Sequence, residues 1–203
     1  MAIATTTTYG LTPGTAGAGG SVRGDGSANV TRRVTSTSAS APTPPTDRVA
    51  ERKRSSLPKF VRLPTIGATS ELIELGLEVD GSLQVPEDFS VAGWYVGGVV
   101  PGEPGPAIIA GHLDSYVGPG IFSKLGLMKV GDPINVTRED GSVVQFTTTR
   151  IDQYPKKLFP SELVYGETKD AEIRLITCGG KFNRINGAYT DNIVVYGKLL
   201  PNP

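Results

Sequence analysis

One cysteine, one histidine and one tryptophan are all that the 203 residues supply. A single cysteine excludes a disulfide within the chain and any cysteine cage for a metal, and a single histidine excludes a multi-histidine site. No apolar run approaches the roughly 18–20 residues that span a bilayer, and the opening MAIATTTTYG lacks a charged stretch followed by an apolar one. The chain as numbered therefore reads as soluble, although truncation just after a membrane anchor would leave a beginning of this kind. An excess of either charge is missing too, with 20 Lys+Arg against 20 Asp+Glu, so no overall basic field calls for nucleic acid. There is no GxxxxGK[ST] to cradle phosphate, and the glycine-rich TAGAGGSVRG (15–24) follows no strand.

The balanced total hides an asymmetry. Before Ser56 seven basic residues face three acids, net +4, which leaves −4 for the remainder. Residues 1–55 are rich in Thr, Ser, Gly, Ala and Pro and nearly devoid of large apolar side chains, so they cannot offset the entropy of ordering and are expected to be a disordered tail. The cluster RVAERKR (48–54) within them reads as a solvated linker, with a membrane-surface or polyanion patch as the alternative. Residues 56–203 are the expected folded domain, one core in size.

From Pro58 onward, short β-rich runs alternate with Gly, Pro and Asp. Strands are expected over 59–64, 82–86, 106–111, 133–137, 142–152, 172–178 and 192–200, which points to an all-β sandwich or barrel. Short helices fit TSELIELGL (69–77), capped by Thr69 or Ser70, and IFSKLGLM (121–128), with a turn around PSELVYG (160–166). The EDG at 139–141 reads as a hairpin turn between two strands.

Two segments deliver a reactive side chain where a strand is expected to run out: AIIAGHLDS (107–115) and IRLITCGG (173–180). Strand ends are rigid platforms, which the positional precision of catalysis requires. Cys178, entering what reads as a Gly-Gly turn, is open to three readings: an inert core residue, a redox thiol, or a nucleophile. His112 would supply the activating imidazole, or else simply hydrogen-bond in its turn. A third group is needed to hold the oxyanion. Arg174 shares a strand face with Cys178 but lies about 13 Å down the strand, whereas Arg184 follows in the loop and could fold back over the thiol. For either arginine a structural ion pair is an alternative, and Asp114 either caps a turn or orients His112.

The order GWY (93–95), PGEPGPAIIAGHLDS (101–115), GPGIFSKL (118–125), a GD turn (131–132), VYG (164–166), RLITCGGKF (174–182) and GAYTDNIVVYG (187–197) resembles the sortases. It is most similar to the class F group of high-GC Gram-positive bacteria. The likeness runs from about Phe60 to Leu200. It implies a closed eight-stranded β-barrel with a few short helices and a cysteine transpeptidase that needs no cofactor. By that resemblance, Cys178 attacks the Thr–Gly carbonyl of an LPXTG-like sorting signal and forms a thioester. His112 serves as general acid and then base, and Arg184 steadies the oxyanion or the substrate. An amine from a cell-wall precursor resolves the thioester. The setting implied is a monomer on the extracytoplasmic face of the membrane, its anchor absent from this chain. One departure stands out: the family's arginine falls early on the strand after the cysteine loop, and aligning on Gly187 puts Asn192 near that column, where it could donate a hydrogen bond.

Other readings remain at this level. A cysteine hydrolase would use the same thioester, and a transpeptidase of the L,D type would hold its histidine close before the cysteine, whereas His112 lies 66 residues upstream. A non-enzymatic β-barrel binding module would not depend on the thiol. Calcium would need surface acids such as Glu103, Asp114, Asp132 and Asp140 to converge.

Overall fold

The computed structural model describes residues 56–201. The expected tail, its basic cluster and its glycine-rich stretch lie outside the described residues. Ten strands form: β1 (Pro58–Leu63), β2 (Ala68–Leu75), β3 (Ala92–Tyr95), β4 (Gly105–Gly111), β5 (Asp114–Ser115), β6 (Gly118–Pro119), β7 (Pro133–Arg138), β8 (Val143–Pro155), β9 (Ala171–Asn183) and β10 (Ala188–Leu199). Eight of them close into a barrel in the order β1-β2-β3-β4-β9-β10-β8-β7, while β5 and β6 make a separate two-stranded ribbon. The expected barrel is therefore present. Its pairings are antiparallel except β2 with β3 and β4 with β9.

Alternation along the strands splits the apolar residues into two sets. Val61, Leu63, Ala107, Ile109, Ile134, Val136, Phe146, Ile173, Leu175 and Val195 point inward and fill the barrel. Ile108, Ala110, Ile176, Val194 and Tyr196 point outward and are covered by Leu75, Leu83, Val164, Phe159 and Tyr165. The cover comes from the end of β2, the connection between β2 and β3, and the segment from Phe159 through a short α-helix, α1 (Ser161–Tyr165). Thus the wall made by β4, β9 and β10 is buried on both faces, and its even-numbered residues form the outer side.

Several local expectations need correcting. Residues 69–77 do not form a helix: Ala68–Leu75 is β2, paired residue for residue with β1 (Phe60 with Glu71 through Leu63 with Ala68) and with β3 (Leu72 with Ala92 through Leu75 with Tyr95). Two complete ladders outweigh the helical preference of Glu and Leu. Ser70, expected as a helix cap, instead accepts from the Ala92 N–H of β3 at 2.8 Å. Residues 121–128 keep only a 3-10 turn at Leu125–Leu127, and 82–86 contributes a single bridge between Leu83 and Leu77. The EDG turn holds, with Arg138 N–H donating to Ser142 O at 2.8 Å and Gly141 at a φ of 81°.

Candidate active site

The Gly-Gly pair after Cys178 is not a turn. β9 continues through it to Asn183, and the hairpin reverses at 184–187. Between Gly179, paired with Asp191, and Phe182, paired with Tyr189, β9 carries one residue more than β10, a bulge with Gly180 at a φ of 76°. A Cβ there would lie 2.5 Å from Thr190 Oγ1 and 2.6 Å from the Asp191 carboxyl, so glycine is required by both torsion and space.

Cys178 is half-buried and unpaired to any other sulfur. Its direct partner on β10 is Asn192. On its other side β4 runs parallel to β9, the pairing ending with Ala110 beside Ile176; β4 stops at Gly111, and His112 is the first residue past that end. Cys178 and Asn192 are both even-numbered, so alternation turns them to the barrel's outer side on adjacent strands about 4.8 Å apart. The end of β4 that leads into the histidine thus lies at the same end of the sheet as the cysteine.

His112 is held from both its main chain and its ring. Its carbonyl accepts from Phe122 N–H at 2.9 Å, and Phe122 is wholly buried. Its Nε2 lies 2.7 Å from Pro86 O, and Phe89 packs on the ring at 4.5 Å between centroids. A carbonyl only accepts, so Nε2 carries the proton and donates. Nδ1 is left as the atom that can take up and release a proton.

Asn192 is wholly buried, and neither its Oδ1 nor its Nδ2 finds a partner. An unmet buried amide costs about 1–3 kcal/mol. That cost sits directly across the ladder from the thiol.

The other candidates are spread out. Arg184 is exposed in the β9–β10 turn, beyond the end of the strand that continues through the bulge from Cys178 to Asn183; five extended strand steps span at most about 16 Å. Arg174 is buried, pairs with Glu172 at 2.7 Å, and stacks on Tyr196 at 4.6 Å. It lines a cavity of about 490 Å³ on the outer wall with Arg150, Glu162 and Tyr196, four residues from the thiol. Asp114 binds the Tyr189 hydroxyl. That bond ties the loop after His112 to β10, and it holds the Tyr189 phenol protonated up to about 12, with burial adding to the effect.

A family model of the sortase domain matches residues 61–200. This chain belongs to the sortase family. Among solved structures, the sortase barrel here is similar to sortase A from Corynebacterium diphtheriae, at 20% identity and a TM-score of 0.55, over 72% of this chain and 62% of that one. It is also similar to Streptococcus pneumoniae sortase C, at 22% identity and 0.54, over 70% of this chain and 66% of that one. Sortase C-1 from Actinomyces oris follows the same path at 17% identity and 0.56, over 81% and 86%. Against the first two, the match spans less than two thirds of the other chain's length. No curated protein matches.

Sequence reasoning about this sortase missed two residues at the site. Lys156 Nζ lies 3.5 Å from Cys178 Sγ, yet it is 22 residues away in the chain, and only the β8–β10–β9 order brings it there. Tyr189 was quoted within a motif without a role. Three of the four acids that calcium would need are engaged in their own loops, Asp132 accepting from Lys129 N–H, Asp140 from Ser142 N–H and Glu103 from Val100 N–H, while Asp114 holds Tyr189 of β10. No group of three or more metal-ligating side chains occurs among the described residues. Among them, too, no helix is long and apolar enough to cross a membrane.

Proposed function

We propose that this sortase is a cysteine transpeptidase that cleaves an LPXTG-like sorting signal between Thr and Gly and passes the acyl part to an amine of a cell-wall precursor. The observation that carries the reading is the half-buried thiol of Cys178 paired with Asn192 on the outer face of β9 and β10, with His112 just past the end of the neighbouring β4.

The thiol proton passes to His112 Nδ1, and the thiolate of Cys178 attacks the Thr carbonyl carbon. A C–S bond forms and the carbonyl pair moves onto oxygen. Collapse of that oxyanion breaks the C–N bond, and His112 returns its proton to the departing amine, leaving a thioester. The incoming amine attacks the same carbon and gives its proton to His112, and the thiolate leaves. Asn192 Nδ2 is proposed to donate to the acyl oxygen, which would relieve its buried amide. Arg184, on the exposed hairpin, is proposed to meet the substrate chain flanking the reacting carbonyl. The proposed setting is the extracytoplasmic face of the membrane, where secreted proteins carrying sorting signals meet amine acceptors.

The test is mass spectrometry of the protein mixed with an LPXTG peptide, with and without an added amine. The expected result is an acyl adduct on Cys178 that disappears on amine addition as the amide product accumulates. Intact peptide across a panel of sorting motifs overturns the reading. An adduct that only water resolves, with no amide formed, favours the hydrolase instead.

A further inference from the structure

Acyl transfer puts negative charge on sulfur and then on the acyl oxygen, and a site working away from bulk water needs a fixed positive group to meet it. On β10 the position facing the thiol is the neutral Asn192, and the imidazolium that His112 forms on taking the thiol proton is given up again when that proton goes to the departing amine. The cation comes from the neighbouring strand. β8 pairs with β10 up to Pro155 with Asp191, and the chain then enters a 3-10 turn, Lys156–Leu158, with Pro155 before it. Phe159 fixes the turn from its far end, packing edge-on against Tyr154 and tilted against Tyr165. Lys156, half-buried at the start of the turn, crosses β10 and donates to Cys178 Sγ at 3.5 Å.

Among the described residues no carboxylate pairs with this ammonium. Two carboxylates on the neighbouring strands have other partners: Asp152 holds Arg150 at 2.8 Å and the Tyr154 hydroxyl at 2.6 Å, and Asp191 accepts from Gln153 at 2.5 Å. Lys59 and Lys198, by contrast, sit on carboxylates in the open. A lysine used only for packing would lay its stem on apolar surface and turn its head to water or an acid; this one turns its head to the thiol.

We propose that Lys156 is the charge-supplying catalytic residue of this sortase. Its ammonium holds the thiolate before attack and follows the charge to the acyl oxygen as the C–S bond forms, while Asn192 donates the second hydrogen bond to that oxygen. The proposal rests on Cys178 and His112 being the nucleophile and the proton carrier.

The test has one arm without variants and one with them. In the full-length wild-type chain, Cys178 is alkylated with iodoacetate and with iodoacetamide. A cation at the sulfur makes the anionic reagent relatively faster, and the rate ratio is expected to exceed that of a free small-molecule thiol at least about threefold. A ratio equal to the free thiol's overturns the proposal. Next, Lys156→Met, Lys156→Arg, Lys157→Met, Arg184→Met and Cys178→Ala are compared for turnover of a sorting peptide, folding being checked by circular dichroism. Lys156→Met is expected to lose about 100-fold in kcat with KM little changed, Lys156→Arg to recover most of it, and Lys157→Met to match wild type. Full kcat in Lys156→Met, or the kcat loss falling on Arg184→Met instead, overturns the proposal. Turnover by Cys178→Ala overturns the reading beneath it, whereas a silent Cys178→Ala beside an unimpaired Lys156→Met overturns only the role of the lysine.

Discussion

At the scale of single residues, Asn192 holds a cost without a visible return in the free protein. Leucine has nearly its shape and no polar atoms, so Asn192→Leu is expected to raise stability by about 1 kcal/mol and shift the thermal midpoint upward. The same variant is expected to lower kcat, because the acyl oxygen loses a donor. Calorimetry beside peptide turnover reads both, and a variant less stable than wild type would contradict the account of the unmet amide. His112→Ala should reduce transfer about 10²–10⁴-fold while leaving the fold intact. Tyr189 offers a pH test. Its protonated form is favoured in the folded protein by the bond to Asp114, up to about 12, against an ordinary value of 10.0. That contribution is whole below the ordinary value and fades as pH climbs through the folded one. Burial also holds the Tyr154 and Tyr165 phenols protonated, so alkaline titration followed by phenolate absorbance should show one late-ionising tyrosine fewer in Tyr189→Phe than in wild type.

The two reactive side chains were legible because each is unique in the chain and each follows an apolar run. Lys156 was not, since its relation to the thiol is set by which strands are neighbours. Nothing local in PKKLF distinguishes the first lysine from the second. The unpartnered state of Asn192 likewise depends on what packs above it, not on its own neighbours in sequence.

At the scale of elements, β9 and its bulge set where the thiol stands. Gly180→Ala forces a side chain into a left-handed torsion against Thr190 and Asp191. It is expected to cost at least about 1–2 kcal/mol, seen as a lower midpoint in denaturant, and to slow alkylation or acylation of Cys178 two residues away. Wild-type stability in this variant would contradict the bulge assignment. The pair of glycines was visible as a breaker, but a bulge and a turn make the same demand on torsion, and only the continuation of pairing to Asn183 separates them. β2 was misread for a related reason: TSELIEL satisfies a helical spacing as well as an alternating one, and the partners on both sides decide.

At the scale of the whole molecule, the barrel interior carries the stability. Phe146 is fully enclosed among Ile134, Val136 and their neighbours, and Phe146→Ala is expected to cost about 3–5 kcal/mol, a large share of what a domain of this size possesses. A thermal scan that barely moved would show that the core had been placed wrongly. The strand runs and turn residues made an all-β domain readable in advance, and the order of motifs made its closure an expectation. The parallel contact of β4 with β9, which brings the two apolar runs side by side as far as Ala110 and Ile176, was not written in either segment alone.

Along its paired length each barrel strand already has two neighbours, so over that length the sheet offers an incoming polypeptide no vacant rim on which to zip its main chain. Recognition must then fall to side chains and connecting segments on the wall, so partner preference can drift through individual replacements while the backbone ring underneath stays as it is.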